Sequence, residues 1–170
     1  MVDVSSATYY VRTDGNNTNS GLSNTSGGAW LTIQRSVTNA VAGDTVSVQD
    51  GTYPEKVITR SSGSEESPIT FSAASTNVII GGFTISNSYI SLVGFTVNGT
   101  NVGSYEGVIE VKPGGNNSTI RSNRLSIPYR GHAASKFLYL MKFSSPSESD
   151  NSTPKNSLVD GNFFGDTEQK

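Results

Sequence analysis

Short runs of β-branched and aromatic residues recur along this chain at a near-constant spacing, and that recurrence limits the folds open to it. Val46 lies in Thr45-Val46-Ser47-Val48, Ile69 opens Ile69-Thr70-Phe71-Ser72-Ala73, and Ile90 lies in Tyr89-Ile90-Ser91-Leu92; the steps between them are 23 and 21 residues. A step of roughly 20 to 25 residues suits one coil of a strand solenoid. Further strands are expected at 8–12, 78–80, 83–85, 95–97, 108–111, 118–120, 137–140 and 158–159. Gly or Asn punctuates most of them, and Asp50-Gly51 reads as a turn. Beyond residue 97 the spacing loosens, which predicts coils carrying loop insertions. About five coils fit the length.

A local echo sharpens the pattern. Ile80-Gly81-Gly82-Phe83-Thr84-Ile85 and Leu92-Val93-Gly94-Phe95-Thr96-Val97 share a frame of apolar residues around a central Phe. Ile120-Arg121-Ser122-Asn123-Arg124-Leu125 and Val159-Asp160-Gly161-Asn162-Phe163-Phe164 keep the frame with Asn in that place. Asn tolerates turn backbone, and its amide pairs along a stack, so a hydrogen-bonded Asn ladder is expected. One helix is predicted, over Ala29 to Ala42, because Trp30, Ile33, Val37 and Val41 form a single apolar stripe and Gly43 follows. A lone amphipathic helix ahead of a run of strands has an apolar surface to cover, which in a solenoid is the open end of the core.

Composition decides between an ordered and a disordered reading. Only 15% of the 170 residues are charged and 34% are apolar, the rest being rich in Ser, Thr, Asn and Gly; the formal net charge is −2. Disordered chains of low hydrophobicity usually carry high net charge, so an all-β protein with polar turns fits better. There is no excess of Lys and Arg to neutralise phosphates, which argues against a nucleic-acid partner. No stretch of about 18 apolar residues is present to span a membrane. The chain has no Cys, so disulfides and thiolate metal sites are excluded.

Several segments resemble the opening of secreted right-handed parallel β-helix proteins of the pectate-lyase-like and alginate- or chondroitin-lyase-like kinds. They are Tyr9-Tyr10-Val11, Asp14-Gly15-Asn16, Ala29-Trp30-Leu31-Thr32-Ile33-Gln34, Ala42-Gly43-Asp44-Thr45-Val46, Gly51-Thr52-Tyr53-Pro54-Glu55, Ser67-Pro68-Ile69-Thr70-Phe71 and Tyr89-Ile90-Ser91-Leu92-Val93-Gly94-Phe95. The likeness covers residues 9 to 97; residues 98 to 170 fit as generic coils. It implies an all-β, right-handed parallel β-helix over residues 1–170, with the strand, loop and capping α-helix in 8–43 and the coils in 44–165. It also implies a secreted or cell-surface protein that binds or acts on polysaccharide, acidic polysaccharide above all, by β-elimination or hydrolysis if it is an enzyme. In such proteins acidic calcium ligands and a catalytic Lys or Arg generally lie in later coils. Only six polar residues follow Phe164, a poor cap for a solenoid, so further coils or another chain are expected at that end.

Candidate site residues follow from the chemistry of β-elimination. A base removes the proton alpha to a uronate carboxyl, a cation neutralises that carboxyl, and the leaving oxygen is protonated. The richest cluster of suitable groups is Arg121, Arg124, Arg130, His132, Lys136 and Lys142. Arg130, His132 and Lys136 are the catalytic candidates, His132 being the chain's one imidazole. Arg121 and Arg124 are the substrate-binding candidates, with Tyr105 and Tyr129 as loop aromatics on which a sugar could stack. The loop Asp14-Gly15-Asn16-Asn17-Thr18-Asn19-Ser20-Gly21 is rich in oxygen ligands, which makes Asp14 and Asn16 candidates for calcium. With a single carboxylate and no EF-hand spacing, a tight turn is the preferred reading of the loop. Two other functions stay open: a non-catalytic cell-surface or adhesion module, and a phage tail-fibre segment.

Overall fold

A computed structural model describes residues 6–103, 106–126, 139–144 and 153–165. Its strands are β1 (Thr8–Val11), β2 (Thr45–Val48), β3 (Gly51–Ile58), β4 (Ile69–Ala73), β5 (Val78–Ile85), β6 (Ile90–Val93), β7 (Thr96–Val97), β8 (Gly107–Val111), β9 (Thr119–Arg121), β10 (Arg124–Leu125), β11 (Tyr139–Phe143), β12 (Leu158–Asp160) and β13 (Phe163–Phe164). One helix, α1 (Ile33–Val37), interrupts them. The described fold is therefore nearly all β.

Every pairing is parallel, and the strands form two sheets. The first has the order β1-β2-β4-β6-β9-β12; the second runs β11-β8-β5-β7-β10-β13, with β3 beside β5. From β2 onward the chain alternates between the sheets, with β7 and β8, and then β10 and β11, sharing one visit to the second; each visit lays its strands against those from the visit before. Inward-facing residues consequently stack in columns. Tyr9, Val46, Phe71, Leu92, Ile120 and Val159 are register partners in the first sheet. Tyr53, Ile80, Val97, Leu125 and Phe164 form a second column, and Val57, Phe83, Ile109 and Met141 a third. The columns meet in one apolar core. Alternation along each strand leaves the polar partners Thr45, Thr70, Ser91 and Thr119 on the outer face.

The 21-residue step from Ile69 to Ile90 is a true register pair. The preceding step is 25 residues, because Val46 pairs with Phe71 and not with Ile69. Later steps lengthen to 28 (Leu92 to Ile120) and 39 (Ile120 to Val159), the insertions lying between strands.

The Asn ladder is present. The Asn123 side chain donates to the carbonyl of Leu92 (3.0 Å) and accepts from the N–H of Phe95 (2.9 Å). Asn162 repeats this one circuit later, donating to the carbonyl of Ile120 (2.8 Å) and accepting from the N–H of Asn123 (2.9 Å). The earliest member of the echo does not belong to it. Ile80 pairs with Val97, and Phe83 with Val57 and Ile109, so residues 80–85 are shifted relative to 92–97. They form one strand through Gly81-Gly82, whose two halves pair with β7 and β8.

Other expectations need correction. The helix spans only Ile33–Val37 and not 29–42. Trp30 cannot be helical because its backbone bridges β1, its N–H donating to the Tyr10 carbonyl (2.9 Å) and its carbonyl accepting from Arg12 (2.8 Å). The Thr32 hydroxyl then caps the helix start. At the other end Thr38 and Asn39 side chains take the Arg35 carbonyl, and Val41 faces solvent. The short helix still covers apolar surface, burying Ile33 and Val37. The turn expected at Asp50-Gly51 separates β2 from β3, and β3 itself is a strand that the sequence did not single out. Pro54 concealed it from the pattern: it sits where the register with β5 shifts, a bulge in which a missing N–H is tolerated.

Candidate functional site

The outer face formed by β5, β8 and β11 carries a charged cluster whose placement follows from strand register. Thr84, Glu110 and Lys142 are partners in three successive strands, so their side chains share one outward column. The Glu110 side chain is only 5% exposed despite facing away from the core. Its Oε1 accepts from the Ser144 hydroxyl at 2.8 Å and lies 3.8 Å from Lys142 Nζ. Its Oε2 lies 3.7 Å from Lys112 Nζ and accepts no hydrogen bond among the described residues; the Thr84 hydroxyl is likewise buried without one. A buried carboxyl group needs polar or charged partners, and the Ser144 hydroxyl with the Lys112 and Lys142 side chains supplies them here. Lys142 also lies 5.6 Å from the centre of the Tyr139 ring.

The cluster continues along the same edge. Lys56 and Glu106 form an ion pair of 2.7 Å, and Glu106 accepts from the Gly103 N–H, also at 2.7 Å. The Lys56 ammonium holds the Glu106 carboxyl below its usual range, with the Gly103 N–H and the charge of Lys112 adding to the effect. The result is a patch of three lysines and two glutamates. In it Lys112, 44% exposed, is the cation most open to an anion from solution. A carboxylated ligand could pair with Lys112, while Glu110 keeps the Lys142 amine in place.

The sequence-predicted residues are distributed differently. Arg121 ends β9, exposed, in register with Val93 and Asp160. Arg124 opens β10, also exposed, with its guanidinium 4.7 Å from the centre of the Phe163 ring. Both flank the corner that Asn123 occupies. Among the described residues, Lys142 is the one member of the predicted basic cluster found in the Glu110 patch. Tyr105, Tyr129, Arg130, His132 and Lys136 lie outside the described residues. Glu110 and Lys112 were missed, since within a single strand Glu110 is an ordinary polar alternation. Its column partners Thr84 and Lys142 would have marked it once the circuits were aligned.

The Asp14 to Gly21 loop cradles Trp30. The indole N–H donates to the Asn19 carbonyl at 2.7 Å, and Asn17 Oδ1 accepts from the N–H groups of Leu31 and Thr32. Gly21 has φ of +79°, and a Cβ there would lie 2.6 Å from the indole ring, so glycine is required on both counts. Both Asp14 oxygens accept from Arg12, at 2.7 and 3.0 Å, and Asn16 Oδ1 accepts from the N–H and hydroxyl of Thr18. Among the described residues no three His, Cys, Asp or Glu side chains gather as a metal site would require.

Architecturally, then, the chain is a stack of parallel strands in two sheets around one apolar core, with charged clusters on its outer faces. Three chains of solved structure match it. One is described as "Rhamnogalacturonan lyase": it is 17% identical with a TM-score of 0.59, and the match covers 94% of this chain and 53% of that one. The chain thus has a polysaccharide-lyase-like fold and spans about half the length of that protein. No protein-family profile and no curated protein sequence matches it. Among the described residues no helix is long and apolar enough to cross a membrane.

Proposed function

We propose that this chain is a right-handed parallel β-helix that binds acidic polysaccharide on its outer face as part of a polysaccharide-acting protein. The β-helix reading is supported by the parallel pairing of each strand with the one a circuit earlier and by the stacked inward columns. The observation that carries the ligand is the Glu110 patch, in which Lys112 and Lys142 flank a buried carboxylate on an otherwise near-neutral protein. A uronate carboxyl would pair with Lys112, and the Arg121 and Arg124 corner would add a second cationic contact farther round the stack. In a lyase, neutralising that carboxyl is what acidifies the alpha proton. A secreted or cell-surface location accords with such a ligand.

The test is a screen of the chain against pectate, rhamnogalacturonan, alginate, chondroitin and neutral glycans, with calcium and with chelator. Bound fraction and the ultraviolet absorbance of unsaturated products would be followed together. Salt-sensitive binding of an acidic polymer is expected, weakened about tenfold, or 1.4 kcal/mol, by Lys112→Ala combined with Arg121→Ala. Unsaturated product would establish a complete lyase site within these strands. An acidic polymer bound equally well by the double variant would overturn the patch, and binding of no acidic polymer would overturn the reading.

A further inference from the structure

A polar concavity lies among the first circuits of the stack, where residues after β1, between β2 and β3, and between β4 and β5 come together. Arg12, Thr13, Asp14, Gln49, Asp50, Ala74 and Ser75 line an open cleft of about 550 Å³. Thr13 joins it to a smaller hollow of about 250 Å³, walled by Leu31, Thr52, Pro54 and the edge of Tyr53. Ligand pockets commonly span about 300 to 1,000 Å³, apolar on one side with a few convergent polar groups.

The polar side is preorganised. Arg12 forks onto Asp14 and donates to Asn24 (3.2 Å), whose amide donates to Gln49 (3.2 Å), which in turn donates to Ser47 (3.0 Å). Asp50 is held by the Ser75 hydroxyl (2.7 Å) and the Asn77 amide (3.2 Å). An ionised carboxylate offers about four acceptor sites. Asp50 uses two of them within the protein, as does Asp14, and both are exposed to solvent. Fixed acceptors with spare capacity suit the adjacent hydroxyls of a sugar, while Leu31 and Pro54 present an apolar wall to its C–H face. Charge decides which sugar. Asp14 and Asp50 line the cleft with a single cation, Arg12, so it repels a uronate; Glu55, at the neighbouring hollow, already accepts from the Ile33 and Gln34 N–H groups.

We infer that this cleft is a second saccharide site, selective for neutral or amine-bearing sugar units and separate from the lysine patch. The saccharide class rests on the function proposed above; the site and its charge preference do not. The test is titration of the full chain, followed by calorimetry, with neutral and amino-sugar trisaccharides and with the uronate counterpart of the neutral one. Saturable binding of a neutral or amino sugar is expected, at least tenfold weaker in Leu31→Ala and in Asp50→Ala and unchanged in Lys112→Ala. The uronate counterpart should bind at least tenfold more weakly than its neutral equivalent. Asp50→Asn, which keeps an acceptor for Ser75, guards against a folding defect: it should retain neutral-sugar binding and lose any preference for the amine. Equal affinity for the uronate, or binding unmoved by both alanine variants, would overturn the inference. If acidic polymers bind and no neutral or amino sugar does, this inference alone fails; if no saccharide binds, it fails together with the function proposed above.

Discussion

At the scale of single residues, two buried polar groups carry more of the fold than their size suggests. Asn123 satisfies a backbone donor and a backbone acceptor that strand pairing leaves unpaired at a corner. Asn123→Ala would orphan both, so a loss of about 2–4 kcal/mol is expected in urea denaturation; a loss below 1 kcal/mol would mean that water replaces the amide. Tyr53 donates its hydroxyl to the Gln49 carbonyl at 2.9 Å, and burial pushes the phenol up to about 12. The unfolded phenol ionises near pH 10. Between that pH and about 12 the unfolded chain loses a proton that the folded chain keeps, so stability held below pH 10 falls as pH rises through this window. Tyr53→Phe should flatten that alkaline decline in urea midpoints measured from pH 8 to 12, and an unchanged decline would assign it to other groups.

At the scale of elements, the segment between β7 and β8 is fastened by Glu106 to Lys56 of β3. Its lowered carboxyl stabilises the fold above the ordinary carboxylate range, and that contribution is lost as pH falls through the lower folded value. The pair is partly exposed, so Glu106→Gln should cost under about 1 kcal/mol at pH 7. The difference between variant and parent should begin to shrink near the ordinary glutamate range and vanish once pH lies below the lowered folded value; a difference that persists in stronger acid would point to packing instead of charge. The elements themselves were unevenly legible in the sequence. Strands such as Thr45–Val48 and Ile90–Val93 stand out because period-two alternation is a local signal. β3 did not, because Pro54 disguises it, and the helix was overextended because the Trp30 side chain fits an apolar stripe while its backbone belongs to β1. The Glu110 patch was hidden for a further reason. Its members come from different circuits, and register between circuits is a tertiary property that the varying insertions obscure.

At the scale of the whole molecule, burial declines along the stack. In the first sheet Ile120 is fully buried and its partner Val159 is 40% exposed; in the second, Leu125 is 1% exposed and Phe164 49%. In a stack where each layer touches only its neighbours, stability follows local burial. Hydrogen exchange should therefore be slowest in β4, β5 and β6 and fastest in β12 and β13, and equal protection throughout would show that the stack opens only as a unit. The Asn side chains add a direction to this. Asn123 bonds back to residues 92 and 95 of the preceding circuit and donates forward to Asn162, which itself bonds back to residues 120 and 123. Each amide thus reads a surface that earlier residues have already built. For a chain leaving the ribosome N-terminus first, every new circuit finds its mould waiting, so synthesis and assembly run in the same order.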